Sequence, residues 1–97
     1  MKKVMVMFEF PGATTKQYDN IMKDLNAMGT LNNNGLIFHS CSSNSKGLTI
    51  CDVWESESAI SRFGEILYPL LKKHGIKAVQ PEIIPLHNMV NTLVPQS

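Results

Sequence analysis

Residues 35–55, GLIFHSCSSNSKGLTICDVWE, decide the fold. Two stretches rich in β-branched and apolar residues, 35–43 and 48–55, flank Asn44-Ser45-Lys46-Gly47, a turn sequence, and together read as a β-hairpin. A two-residue turn at Ser45-Lys46 pairs His39 with Asp52, Ile37 with Trp54 and Cys41 with Ile50. Polar and apolar side chains then separate between the two faces. The expectation is that His39, Asp52 and Trp54 share one face, while Leu36, Phe38, Ser40, Thr49, Cys51 and Val53 occupy the other and pack on helices. A three-residue turn is the alternative. It would pair Cys41 with Cys51 and His39 with Val53, and bring a disulfide within steric reach, although a reducing compartment disfavours one.

On each side of the hairpin lies a helix, and beyond each helix a further strand. Residues 4–10 form a strand ending at Pro11-Gly12, with Val4, Val6, Phe8 and Phe10 on one face and Met5 and Met7 on the other. Thr14 or Thr15 caps a helix whose apolar stripe is Tyr18, Ile21, Met22, Leu25 and Met28, and Gly29 closes it. Ser56 caps a second helix with the stripe Ala59, Ile60, Phe63, Ile66, Leu67, Leu70 and Leu71. Pro69 inside that stripe predicts a kink or a division, and Gly75 the end. Residues 77–87 read as a last strand, at an edge because of Pro81 and Pro85. Residues 88–97 are a tail whose Met89, Val90, Leu93 and Val94 are apolar enough to dock on a partner subunit.

The order is β-α-β-β-α-β, an α+β chain of the ferredoxin-like type with a four-stranded antiparallel sheet. Right-handed crossovers put both helices on one sheet face, with strand order 4-1-3-2. The 97 residues make one domain, 1–97. Two helices cover one face of such a sheet and leave the other bare. With Met5, Met7, Ile37, Ile50 and Trp54 assigned to that second face, the chain predicts a homodimer, sheet against sheet.

Composition excludes several classes. A formal net charge of +1 and scattered lysines argue against a nucleic-acid surface. No apolar run approaches the roughly 20 residues of a membrane span. Glu9 and Pro11 interrupt the apolar start, which then reads as a strand rather than a signal peptide and implies a cytoplasmic protein. Cys41 and Cys51 lack metal-type spacing, and neither a phosphate-binding glycine loop nor a cofactor motif is present, so neither metal nor cofactor is expected.

Phe8-Glu9-Phe10-Pro11-Gly12, Tyr18-Asp19, Gly35-Leu36-Ile37-Phe38-His39, Asp52-Val53-Trp54-Glu55-Ser56 and Leu67-Tyr68-Pro69 span most of the chain. In these stretches the sequence resembles the dimeric α/β-barrel superfamily, in particular the small bacterial proteins near the antibiotic-biosynthesis-type monooxygenases. The resemblance implies a pocket in each subunit, between sheet and helices or in the barrel lumen. Its functions are varied: cofactor-free oxygenases, haem-degrading enzymes and isomerases share the fold.

His39 and Asp52 are the candidate catalytic pair. A carboxylate beside an imidazole fixes its tautomer and suits it to general-base work. A hydrogen-bonded structural pair is the competing reading. Trp54 is a candidate substrate-binding residue, by stacking and its N–H, against a packing role. Tyr18 and Tyr68 offer a hydroxyl from each helix, against helix-stripe packing. His74 reads as a partner of the helix C-terminus and His87 as an edge residue. Three functions stay open: an enzyme acting on a small aromatic compound without a cofactor, a non-catalytic ligand-binding or interaction dimer, and a haem-handling protein.

Overall fold

Alternation in the first strand sets the layers. Val4, Val6, Phe8 and Phe10 are buried, while Met5 and Met7 between them are half-buried and Glu9 is exposed. The structure, a computed structural model, describes residues 2–31 and 34–92. Its elements are β1 (Val4–Pro11), α1 (Thr15–Met28), β2 (Leu36–Asn44), β3 (Gly47–Trp54), α2 (Glu57–Lys73) and β4 (Glu82–Pro85). The four strands form one antiparallel sheet in the order β2-β3-β1-β4. Thr14 caps α1 in a reciprocal pair with Gln17, and Gly29 ends it in the left-handed conformation. The Ser56 hydroxyl accepts from the Ala59 N–H at the start of α2.

The hairpin takes the two-residue turn, with His39 opposite Asp52, Cys41 opposite Ile50 and Ser40 opposite Cys51. The two cysteines therefore point to opposite faces, and both are free thiols. One expected pair is corrected. A bulge between Leu36 and Phe38 places Leu36, not Ile37, opposite Trp54. The extra residue turns Leu36 toward the core and leaves Ile37 exposed.

The face assignment is also corrected. β1 pairs with β3 so that Val4 meets Trp54, Val6 meets Asp52 and Phe8 meets Ile50. Ile50, Trp54, Asp52 and His39 therefore lie on the helix-covered face, with the buried half of β1. Met5 and Met7 share the open face with Cys51, Val53 and Phe38. The hairpin register alone cannot decide this, because a one-residue slip between β1 and β3 exchanges every side chain between faces. Trp54 is only 1% exposed and its ring centroid is 5.1 Å from that of Phe63, so it is a core residue rather than a dimer contact. Burial of an aromatic side chain of that size stabilises by at most about 4–6 kcal/mol.

Three smaller expectations change. α2 is one helix from Glu57 to Lys73, not divided at Pro69. The proline and Glu65, whose carbonyl loses its N–H partner, are both exposed residues, so the break in the hydrogen-bond ladder lies on the solvent side of the helix. β4 is four residues rather than the expected 77–87, because only Glu82 to Pro85 meets β1. The α1 stripe stops short at Met28, which is exposed. In the tail, Met89 and Val90 are exposed, while Leu93 and Val94 lie outside the described residues.

Candidate functional site

A cavity of about 180 Å³ lies between the sheet and the two helices. Its walls are apolar, from Phe8 and Phe10 on β1 to Ile21 and Leu25 on α1, with Trp54 and Phe63 farther along. Three side chains supply its ionisable groups: Tyr18, His39 and Asp52. Neither lysine nor arginine lines it.

The sequence delivers the three groups by different routes. His39 and Asp52 are cross-strand neighbours set by the hairpin turn. Tyr18 begins the same helical stripe as Ile21 and Leu25, so packing of that stripe on the sheet carries its ring onto β2. The Tyr18 and His39 rings lie nearly parallel, with centroids 5.9 Å apart and an angle of 6° between their planes.

The groups form one hydrogen-bonded chain. The Asp52 carboxylate is buried and accepts at both oxygens: Oδ1 lies 2.6 Å from His39 Nδ1, and Oδ2 lies 3.2 Å from Trp54 Nε1. A carboxylate has no proton to give, so Nδ1 carries the hydrogen and donates. His39 Nε2 lies 2.5 Å from the Tyr18 hydroxyl. Burial, and then the negative groups at Cys41, Asp52 and Asp19, push the Tyr18 phenol up to about 12. The phenol therefore keeps its proton at neutral pH, and in the neutral imidazole, with Nδ1 donating to Asp52, Nε2 is the acceptor for that proton. Among the described residues no buried side-chain polar atom lacks a partner. Burial, with Asp19 as a smaller cause, also pushes the Cys41 thiol up, which makes it a poor nucleophile.

Four of the five expected site residues thus meet, namely Tyr18, His39, Asp52 and Trp54, while Tyr68 stays outside. Tyr68 is 39% exposed on α2 and rests against Gly64 instead. The Trp54 indole lines the cavity, but its N–H is committed to Asp52 rather than free for a ligand. The link from Tyr18 to His39 was the part missed from sequence. Its signal is present in the stripe, since position 18 shares a face with 21 and 25, but reading it requires knowing which sheet face the stripe covers.

A second cluster is structural. Asp24 on α1 accepts from Lys73 Nζ at 2.9 Å and lies 2.7 Å from His74 Nε2, and Gln17 donates to the His74 carbonyl at 3.0 Å. These bonds tie α1 to the end of α2. Among the described residues there is no group of three or more potential metal ligands. The residues do not fit haem either. The cavity is below the roughly 300–1,000 Å³ of pockets for ordinary ligands, and both ring nitrogens of its one histidine are already bonded. No described helix is long and apolar enough to cross a membrane.

No protein-family model matches the sequence, and no curated protein is significantly similar to it. Similar solved structures do exist. SnoaB from Streptomyces nogalater, described as a cofactor-independent oxygenase, superposes with a TM-score of 0.61 over 93% of this chain and 98% of its own, at 11% identity. A candidate antibiotic biosynthesis monooxygenase from Deinococcus radiodurans gives 0.56 over 97% and 100%, at 12% identity. A conserved protein from Methanosarcina mazei gives 0.52 over 86% and 89%, at 18% identity. Identities this low establish a shared ferredoxin-like fold and nothing finer.

Proposed function

We propose that this protein is a cofactor-free enzyme that withdraws a proton from a small, uncharged aromatic compound, acting as a cytoplasmic homodimer. The observation that carries the proposal is His39, held between Asp52 and Tyr18 in a cavity otherwise lined by hydrocarbon. An imidazole with a basic Nε2 is suited to general-base chemistry. As it takes a proton it becomes an imidazolium beside a carboxylate already in place to stabilise it. An engineered cavity of about 150 Å³ holds benzene, so 180 Å³ suits one substituted ring. With no cation in its walls, the cavity would leave a substrate carboxylate or phosphate unpaired, at a high desolvation cost.

Removal of a phenolic or enolic proton leaves an electron-rich anion. That anion can react directly with dioxygen, and SnoaB is described as a cofactor-independent oxygenase, or it can be reprotonated at carbon, which is an isomerisation. The test is turnover of a panel of hydroquinones and lactones, followed by oxygen uptake and absorbance. His39→Ala should lower the rate at least tenfold, or about 1.4 kcal/mol of barrier. An unchanged rate rejects His39 as the proton acceptor.

A dimer is supported by the open sheet face. Met5, Met7 and Cys51 are half-buried there and Phe38 is 52% exposed, with Ile84 on β4 beside them. A second copy related by two-fold symmetry would cover this face, with an interface of roughly 1,200–2,000 Å². The second reading is a dimer that holds a ligand without chemistry. Complete hydrogen bonding of the buried cluster favours it, since a fully satisfied network also serves a purely structural purpose. Native mass spectrometry showing a retained, unaltered ligand would support that reading.

A further inference from the structure

Both basic positions of the His39–Asp52 pair are occupied. His39 Nδ1 is bonded to Asp52, Nε2 is capped by the Tyr18 hydroxyl, and the two Asp52 oxygens face His39 and Trp54. A substrate in the cavity therefore meets no free lone pair on the imidazole, and the Asp52 oxygens, though each keeps spare acceptor capacity, belong to a carboxylate that is 5% exposed. The Tyr18 oxygen is different. Among the described residues it has one partner, His39, and the tyrosine lines the cavity, so its remaining lone-pair capacity is open to a ligand.

We propose that Tyr18, not His39, is the group that touches the substrate, and that it relays the substrate's proton to His39 Nε2. This rests on the proton-abstraction reading above and assigns its route. The substrate O–H bond breaks as a new O–H bond forms on Tyr18, and the Tyr18 proton moves to Nε2 as its own O–H bond breaks. Tyr18 ends as it began, a neutral phenol that now donates to the substrate anion. The charge separated is one negative charge on the substrate and one positive charge on His39, which faces Asp52. No electrons are transferred, so the step needs neither oxidant nor reductant. A phenol held near 12 does not stand as a tyrosinate at neutral pH, so the two transfers are coupled.

The relay and direct contact predict opposite results for Tyr18→Phe. Phenylalanine keeps the ring against His39 but removes the oxygen. In a relay this breaks the path, whereas in direct contact it uncaps Nε2 and helps. The probe is 4-nitrophenol, whose phenolate absorbs at longer wavelength than the phenol, in a buffer that keeps the free probe mostly neutral. The wild-type protein should bind it and show a phenolate band. Tyr18→Phe should bind within about threefold of wild type but lose the band at least tenfold. A phenolate fraction equal to or above wild type in Tyr18→Phe overturns the relay and leaves proton abstraction by His39 standing. Absence of the band in the wild-type protein, by lack of binding or of ionisation, overturns both. A second measurement covers misfolding of the variant. Replacing the Tyr18 ring by 3-fluorotyrosine, a stronger donor, should raise the phenolate fraction at least twofold, and an unchanged fraction counts against the relay.

Discussion

Asp52→Asn isolates what the buried carboxylate does. The change keeps shape and volume but replaces one acceptor oxygen by an NH₂ group. Trp54 Nε1 only donates, so the amide oxygen must face Trp54, where Oδ2 now accepts at 3.2 Å. The NH₂ group then faces His39 Nδ1, where Oδ1 now accepts at 2.6 Å. Nδ1 must become an acceptor, so the histidine proton moves to Nε2 and the Tyr18 hydroxyl has to turn and accept. Hydrogen bonds to a charged group contribute about 1.5–3 kcal/mol and neutral ones about 0.5–1.5, so two bonds each lose roughly 1 kcal/mol. Relief from burying a charge offsets part of this. A net loss of about 1–2 kcal/mol lowers the unfolding midpoint of a domain this size by about 5–10 °C. Nitrogen–proton correlation of the His39 ring should show Nδ1–H in the wild-type protein and Nε2–H in the variant, with the midpoint followed by circular dichroism. Persistence of Nδ1–H in the variant would refute the claim that Asp52 sets the tautomer.

Three further outcomes are expected. The His74 and then the Lys73 hydrogen bonds hold the Asp24 carboxyl below the usual carboxylate range, so its contribution is present above that range and is lost as pH falls through the lowered value; thermal midpoints of wild type and Asp24→Asn should therefore converge on acidification, and a constant gap argues against the pairing. Phe38→Asp puts a charge on the open sheet face, and sedimentation should find it monomeric with helical content intact while the wild-type chain is dimeric at micromolar concentration; a lone wild-type subunit would remove the proposed interface. Gly47→Ala should destabilise by about 2–4 kcal/mol in urea unfolding, because φ is +143° and an added Cβ would lie 2.2 Å from the Phe10 carbonyl oxygen; a loss below about 0.5 kcal/mol would mean that β1 yields easily at that turn.

The sequence by itself determined what local chemistry determines. Thr14 and Ser56 begin helices because their hydroxyls satisfy free N–H groups of the first turn. Asn44-Ser45-Lys46-Gly47 makes a hairpin, and separation of polar from apolar faces favours His39 opposite Asp52, while the structure is what excludes the three-residue turn. The element order followed, and with it the ferredoxin-like sheet. Only the tertiary structure decided which face of β3 meets the helices. No turn joins β1 to β3, so nothing local sets their register, and a shift of one residue moves Trp54 from core to open face. The contact between Tyr18 and His39 depends on the same choice. It spans 21 residues and exists only because the α1 stripe settles on the face that carries the imidazole.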